Sequence, residues 1–81
     1  MARYFFDIDD GRTRTEDEFG IECADRDAIR RAARQVLPAV ALDAASDASL
    51  RAVTVHVRDE RGRTVLRARL SITEEWFGPE D

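Results

Sequence analysis

The side chains that could perform chemistry are few in this sequence and lie far apart along it. His56 is the single histidine and Cys23 the single cysteine among 81 residues. Acid–base catalysis by a histidine needs a second polar group beside it, and a zinc site needs three or four nitrogen, sulfur or oxygen ligands. Cys23 stands just ahead of a predicted helix, where a thiolate would be favoured, but no partner thiol accompanies it. We therefore expect no enzyme activity, no metal, no cofactor, and a structural role for Cys23.

Three aspartates, Asp7, Asp9 and Asp10, lie close together near the start of the chain. Carboxylate oxygens are ligands for hard cations such as Ca²⁺. The segment lacks the spacing and the terminal glutamate of a calcium loop, and Asp10 is followed by Gly11, a pair that commonly forms tight turns. The pattern therefore favours a turn over a cation site.

Charge composition limits the classes of partner. The chain has 17 acidic residues and 13 basic ones, all of them arginine, for a formal net charge of −4. A protein of net negative charge repels nucleic acid at long range, which argues against strong binding of phosphates. Nucleic acid remains the alternative partner, through a basic stripe on the predicted helix that comprises Arg26, Arg30, Arg31 and Arg34. Asp27 has the spacing to pair with two of these arginines, which favours a solvated helix face instead.

Alternation of side chains predicts a strand at residues 3–9. One face of this strand carries three side chains that we expect to face the core: Tyr4, Phe6 and Ile8. Residues 12–15 alternate basic and β-branched side chains, which allows a short second strand. An acidic loop at residues 16–18 follows, after which we expect Phe19 and Ile21 to return to the body of the domain.

A helix is predicted after Asp25, which has the chemistry of an N-cap, with Asp27 in the first turn. Apolar side chains recur at three- and four-residue steps: Ala28, Ile29, Ala32, Ala33, Val36, Leu37, Val40, Ala41 and Ala44. Pro38 lacks an N–H and crowds the preceding turn, so we expect a kink there or a break followed by a segment reaching about residue 45. Residues 46–49 are predicted to form the following loop.

The clearest hairpin in the sequence surrounds a turn at residues 59–62. Apolar side chains alternate on both sides of this turn: Val53, Val55 and Val57 before it, and Leu66, Ala68, Leu70 and Ile72 after it. A register that pairs odd positions with even ones places both sets on the same buried face.

These elements predict a two-layer α+β domain, with one amphipathic helix on an antiparallel sheet of three or four strands, in the order β, weak β, α, β, β. A chain of 81 residues supports one core, which we place in residues 1–76, with a disordered acidic tail at 77–81. The sequence has neither the layout of a signal peptide nor the run of ~20 apolar residues that a membrane span needs. It therefore indicates a cytoplasmic protein without membrane contact.

The sheet face turned away from the helix, here named the outer face, combines aromatic, aliphatic and basic side chains. It comprises Phe5, Thr54, His56, Val65, Arg67 and Arg69, and Trp76 and Phe77 would extend it. A small domain gains stability by burying such a face against a copy of itself or another protein. We therefore predict a non-catalytic interaction module that associates through the outer face or an edge strand. A nucleic-acid-binding regulator is the alternative, because cationic faces with stacking groups bind single strands.

Several segments resemble a family of short proteobacterial proteins that has no assigned activity, cofactor or catalytic residue. The likeness covers almost the whole chain and is carried by Arg3-Tyr4-Phe5-Phe6-Asp7, Asp10-Gly11, Gly20-Ile21-Glu22, Asp25 and Val57-Arg58-Asp59-Glu60-Arg61-Gly62-Arg63. The aromatic first strand, the glycine turn and the Asp-capped helix are also similar to antitoxins of the HicB type. The first resemblance implies a small domain of unknown function, and the second implies a regulator.

Overall fold

One helix lies against one face of an antiparallel sheet, so the chain forms two layers. The computed structural model describes residues 2–44 and 51–79. In chain order its elements are β1 (Ala2–Asp9), β2 (Arg14–Thr15), β3 (Ile21–Cys23), α1 (Arg26–Ala44), β4 (Ala52–Arg58) and β5 (Thr64–Ser71). The predicted α+β architecture is confirmed.

β1 organises the sheet because three strands pair with it. β4 pairs with β1 in a register that sets Phe6 opposite Val57, and β4 then pairs with β5 at the edge. β2 and β3 follow one another along β1, where Ile8 lies opposite Thr15. The sheet therefore has five strands, against the three or four that were predicted. The additional strand is β3, whose three residues, Ile21, Glu22 and Cys23, are too few to show a strand pattern in the sequence and are held by antiparallel pairing to β1.

The hairpin of β4 and β5 has the predicted pairing of odd with even positions. Val53 lies opposite Leu70 and Val55 opposite Ala68. The three valines of β4 are at most 1% exposed, which places this strand at the centre of the core. The buried core comprises Phe6, Cys23, Ile29, Ala33, Leu37, Val53, Val55 and Val57. One face of the sheet and the apolar stripe of α1 therefore form a single core.

The helix begins at the predicted cap. Asp25 accepts a hydrogen bond from the backbone N–H of Ala28 at 2.8 Å, which satisfies one of the donors that a helix start leaves unpaired. α1 runs without interruption through Pro38 to Ala44, so of the two predicted outcomes, a kink or a break, the break is wrong. Pro38 cannot donate to the carbonyl of Arg34, but both residues are exposed, so this part of the helix is open to water.

The loop at residues 16–20 does not return its apolar side chain to the core. Phe19 is 83% exposed, so the prediction that it packs on the body of the domain is wrong. Ile21 is 43% exposed but does return to the body of the domain, because it lies in β3 opposite Tyr4. The loop is anchored by a polar side chain instead: Asp17 accepts hydrogen bonds from the backbone N–H groups of Phe19 and Gly20. This anchoring satisfies the loop backbone and leaves Phe19 in solvent.

The chain that follows β5 carries the two most exposed large apolar side chains of the described residues. Ile72 still belongs to the sheet, because its N–H donates to the carbonyl of Arg51 at 2.8 Å. Beyond it, Trp76 is 95% exposed and Phe77 85% exposed. The predicted tail at 77–81 is described through residue 79 only, and residues 80–81 and the predicted loop at 46–49 lie outside the described residues. Among the residues that the structure describes, no helix combines the length and the apolar character needed to cross a membrane.

Candidate functional site

The outer face gathers polar side chains from four strands, β1, β2, β4 and β5. Its cross-strand pairs are Phe5 with Arg58, Asp7 with His56, Asp9 with Thr54 and with Arg14, His56 with Arg67, and Thr54 with Arg69. α1 packs on the opposite side of the sheet, against β3, β4 and β5. In the part of the chain that the structure describes, no helix or strand lies over the outer face. This face is therefore the candidate functional site.

Asp7 is the buried acidic centre of the outer face, with 1% of its surface exposed. Its Oδ2 accepts a hydrogen bond from Nε of Arg58 at 2.7 Å and lies 3.6 Å from a guanidinium nitrogen of Arg14. Its Oδ1 accepts the backbone N–H of Asp17 at 3.0 Å. A buried carboxylate is tolerated only when it is paired and hydrogen-bonded in this way. Asp7 therefore joins β1 to β2, β4 and the 16–20 loop.

The ionisation of Asp7 is controlled by these neighbours. Burial raises the pKa of Asp7, but the hydrogen bonds from Arg58, from the backbone of Asp17 and from Arg14 together outweigh it, so the pKa lies below its ordinary value of 3.8. The carboxylate is charged at neutral pH as a result. Its negative charge holds two guanidinium groups on the outer face.

Asp17 orders the loop that crosses beside β1. Its Oδ2 accepts the backbone N–H of Phe6 at 3.1 Å, and its Oδ1 accepts the N–H groups of Phe19 and Gly20 at 3.0 and 3.1 Å. Burial raises the pKa of Asp17, yet these three backbone hydrogen bonds bring it below 3.8. The charged carboxylate of Asp17 therefore fixes the loop. The backbone N–H and carbonyl of Asp17 in turn contact Asp7 and Arg58 on the outer face.

Arg58 is held by three contacts that fix its guanidinium group. It donates to Asp7, it donates from a terminal nitrogen to the carbonyl of Asp17 at 3.1 Å, and it lies over the ring of Phe5 at 4.8 Å from the ring centroid. The last distance is that of a cation–π contact. One face of Phe5 is thereby covered by a cation, so this ring contributes less free apolar surface than the sequence predicted.

The remaining outer-face groups are paired between β4 and β5. Nε of Arg67 donates to Nδ1 of His56 at 3.4 Å, and Nε of Arg69 donates to the hydroxyl of Thr54 at 3.2 Å. Thr54, which lies on β4 between β1 and β5, is 7% exposed. Burial lowers the pKa of His56, and the positive charges of Arg14 and Arg67 lower it further. The lowered pKa agrees with the prediction that neighbouring arginines favour the neutral form of the His56 imidazole.

We expect the single histidine to titrate below its ordinary pKa of 6.5. The change Arg67→Gln removes one of the charges that disfavour the imidazolium and raises the midpoint of the His56 titration. Arg69 contacts Thr54 instead, so Arg69→Gln leaves that midpoint unchanged. Because the folded protein disfavours the protonated form, the stabilisation from neutral His56 is complete above about pH 6.5 and is lost as the pH falls through the folded-state pKa. An NMR pH titration of the imidazole resonances measures all three midpoints. A wild-type midpoint at or above 6.5 contradicts this expectation.

The structure brings together five of the eight residues predicted for the interaction surface: Phe5, Thr54, His56, Arg67 and Arg69. Trp76 and Phe77 lie beyond β5, in solvent. Val65 does not share the outer face. The pairing shifts between Val57 and Arg58, so Val65 is an extra residue in β5 and lines a cleft on the helix side together with Tyr4 and Ile29. A β-bulge re-aims a side chain in this way, and alternation alone cannot foresee it.

Four charged members of the outer face are absent from the interaction surface that the sequence predicted: Asp7, Asp9, Arg14 and Arg58. Asp7 was considered only as a cation ligand or turn residue, although its alternation with Phe6 already placed it on the outer face. Asp9 and Asp10 do form the predicted turn, since Asp9 accepts the N–H of Gly11 and Asp10 those of Arg12 and Thr13. A signal was available in the strand parity, which puts Asp7 and His56 on the same face.

The arginine stripe of α1 is a separate surface, on the other layer of the domain. All four arginines are exposed: Arg26, Arg30, Arg31 and Arg34. Arg30 pairs with Asp27 at 3.3 Å, the local ion pair that the spacing predicted. Arg26 and Arg30 line the helix-side cleft with Val65, and Arg31 and Arg34 do not. The stripe therefore divides into a cleft-lining pair and a solvated pair.

Cys23 is buried, with 4% of its surface exposed. Burial and the nearby charge of Asp25 raise the pKa of its thiol. The thiolate favoured by a helix start is thus disfavoured here, which agrees with the structural role expected for Cys23.

These features define the chain as a small two-layer α+β domain whose sheet face opposite the helix carries ordered arginines. The chain belongs to the DUF6894 family, a domain of unknown function, whose model matches residues 3–71. The match ends at the last residue of β5. No curated protein matches the chain, and no solved structure matches it. The predicted membership in a family of unknown function is confirmed, whereas the similarity to HicB-type antitoxins stays a prediction.

Proposed function

We propose that this protein is a non-catalytic interaction module that binds an acidic segment of another protein through its outer face. One observation carries the proposal: four arginines, Arg14, Arg58, Arg67 and Arg69, are ordered on a sheet face that no described helix or strand covers. The charged carboxylates of a partner match these guanidinium groups in sign and in geometry.

The order of these side chains favours binding. A flexible arginine loses rotamer freedom when it binds, which weakens association. Arg58 is already fixed by Asp7 and Phe5, and Arg67 and Arg69 are each hydrogen-bonded across the hairpin. Arg67 and Arg69 nonetheless remain exposed, so their terminal nitrogens can donate to a partner. These arginine side chains have thus already lost part of their conformational entropy in the folded domain, so less is lost on binding.

A protein partner is favoured over nucleic acid and over a second copy on this face. Binding of single strands relies on free aromatic faces and on cationic stacking groups. Phe5 is already covered by Arg58, and His56 accepts a hydrogen bond as a neutral ring. Two copies meeting through this face would bring like charges together, which costs free energy.

A role without catalysis is supported by the way the polar groups are used. His56 lies beside a guanidinium group, and both oxygens of Asp7 accept hydrogen bonds within the fold. A general base needs an accessible lone pair within reach of a substrate proton. The hydrogen bonds made by His56 and Asp7 leave neither group prepared for that role.

The test compares two pairs of charge reversals. Arg67→Glu/Arg69→Glu alters the outer face, and Arg31→Glu/Arg34→Glu makes the same charge change on the solvated part of α1. With a fluorescent glutamate-rich peptide as the probe, we expect the outer-face pair to weaken binding by about tenfold or more, the scale of interface hot spots, and the helix pair by much less. Fluorescence anisotropy at low and high salt measures both.

The same titration with a single-stranded oligonucleotide distinguishes the alternative partner. If the oligonucleotide binds more tightly than the peptide and binding depends on Arg67 and Arg69, the nucleic-acid alternative replaces the proposal. Absence of peptide binding at low salt overturns it, and so does equal weakening by the two pairs of variants.

A further inference from the structure

A short aromatic arm leaves the sheet without a partner in the described structure. The arm is defined here as residues 73–79, and it contains Trp76 and Phe77, which are 95% and 85% exposed. Glu74 and Glu75 precede this pair directly in sequence, and two further acidic residues end the chain. Two adjacent aromatic side chains in solvent are unfavourable unless a partner buries them. The arm is therefore both apolar and acidic.

The cleft on the helix side, named here the helix cleft, has the opposite charge. It has a volume of about 430 Å³, which lies within the range of ligand pockets. Its aromatic and aliphatic lining comes from Tyr4, Ile29, Val65 and Leu66, and its charged lining from Arg26, Arg30, Arg63 and Asp59. Asp59 already accepts the N–H groups of residues 61 and 63 and pairs with Arg63. The cleft therefore offers an apolar floor under a mainly cationic rim.

The arm of a chain leaves the sheet far from the helix cleft of the same chain. Val65 lies at the start of β5 and Ile72 just past its end, seven residues later, which is about 24 Å along a strand. The four residues from Ile72 to Trp76 span at most about 14 Å even when fully extended back along the sheet. The arm therefore leaves the sheet at the end remote from its own cleft, which favours docking in the cleft of another molecule.

We propose that the arm of one copy docks in the helix cleft of a second copy, and that the exchange is reciprocal. Trp76 fills the apolar floor, and Glu74 and Glu75 meet Arg26 and Arg30 at the rim. A guanidinium group beside an indole adds a cation–π contact. A reciprocal exchange gives a closed two-fold dimer and leaves no arm exposed. This association uses a different surface from the outer face and so goes beyond the proposed function.

The dimer can be observed directly because Trp76 is the only tryptophan. Upon docking the indole leaves water, so we expect its emission maximum to move to shorter wavelength as the full-length chain is concentrated. Sedimentation equilibrium over the same range measures the mass, which rises from 9.2 kDa toward twice that value. A constant monomer mass up to millimolar concentration overturns the proposal, and so does a dimer whose Trp76 emission does not shift.

Variants identify the contact. Trp76→Ala/Phe77→Ala and Arg26→Glu/Arg30→Glu are each expected to weaken dimerisation by about 30-fold or more, since truncation of a buried tryptophan anchor has effects of that size. Glu74→Arg/Glu75→Arg combined with Arg26→Glu/Arg30→Glu restores opposite charges and recovers the dimer. Persistence of the dimer without the aromatic pair overturns the proposal, and failure of the charge exchange to restore it does as well.

Two controls separate this proposal from the outer-face function. Arg31→Glu/Arg34→Glu changes the same charge on α1 outside the cleft, and Arg67→Glu/Arg69→Glu changes the outer face. We expect both to leave the dimer intact, and loss of the dimer in either pair, with the circular dichroism spectrum unchanged, overturns the assignment of the helix cleft. Peptide binding by the outer face is scored in a separate titration, so each proposal can fail without the other.

Discussion

Replacing Asp7 by asparagine is expected to lower the free energy of unfolding by about 2–4 kcal/mol, somewhat less than for a fully buried ion pair because the side chain of Arg58 is 28% exposed. The amide keeps the volume of the carboxylate and can still accept the N–H of Asp17. The substitution removes the charge that neutralises Arg58 and Arg14. The amide atom that faces Nε of Arg58 is then either an N–H₂ group or an oxygen that accepts more weakly than a carboxylate. The loss is therefore electrostatic and does not arise from a cavity.

Urea denaturation followed by circular dichroism measures this effect as a lower midpoint with an unchanged slope. The matched control is Asp27→Asn, which removes the same charge from an ion pair with Arg30 whose two side chains are 61% and 70% exposed. Exposed pairs contribute little to stability, so the control should unfold close to the wild-type midpoint. Equal destabilisation by the two variants would contradict the central role given to Asp7.

Acid titration provides a second measurement on the same group. The folded-state pKa of Asp7 lies below its ordinary value of 3.8, so its stabilisation is complete above that value and is lost as the pH falls through the folded-state pKa. Asp17 has a lowered pKa as well and contributes in the same direction. The wild-type protein should therefore lose stability below about pH 4, and Asp7→Asn should lose less over the same interval.

Replacing Gly20 by alanine is expected to cost about 2–4 kcal/mol, through two separate effects. Gly20 has a φ of +75°, a conformation that costs an L-residue about 1–2 kcal/mol. A Cβ there would also lie 2.8 Å from Cγ of Arg3 and 3.0 Å from the carbonyl oxygen of Tyr4. Arg3 cannot move freely, because its guanidinium group donates to the carbonyl of Phe19. Overpacking of this kind adds a further cost.

Gly62→Ala separates the two effects because Gly62 has a similar φ of +84° and no atom within 4 Å of an added Cβ. It should lose only the backbone part, so Gly20→Ala should be the more destabilised variant by about 1–2 kcal/mol. Thermal unfolding of both variants under the same conditions gives the difference. If the two glycine variants melt together, the close approach of the 16–20 loop to β1 does not contribute to stability.

Local periodicity was sufficient to predict much of the fold. The alternation around residues 59–62 determined the register of β4 and β5, in which Val55 faces Ala68. The cap at Asp25 and the apolar steps that follow determined where α1 begins and which side it buries. Both signals lie within a few residues of one another, so a single sequence contains them.

The candidate site depends on contacts that are distant in sequence. Asp7 and Arg58 are 51 positions apart, and nothing local to either residue indicates that they pair. Val65 left the outer face because of one bulge, and Phe19 remained in solvent because a carboxylate two residues earlier satisfied the loop. Each of these depends on how separate segments meet, which composition and spacing do not encode.

The position of β5 at the border of the sheet has a consequence for the behaviour of the protein at high concentration. A border strand offers unpaired N–H and C=O groups on which identical chains can stack into fibrils. Arg67 and Arg69 project from this strand, and in any stack of copies in register their charges would lie one above another at about 5 Å spacing. We expect the resulting repulsion to oppose cross-β growth and so to limit aggregation of the folded chain.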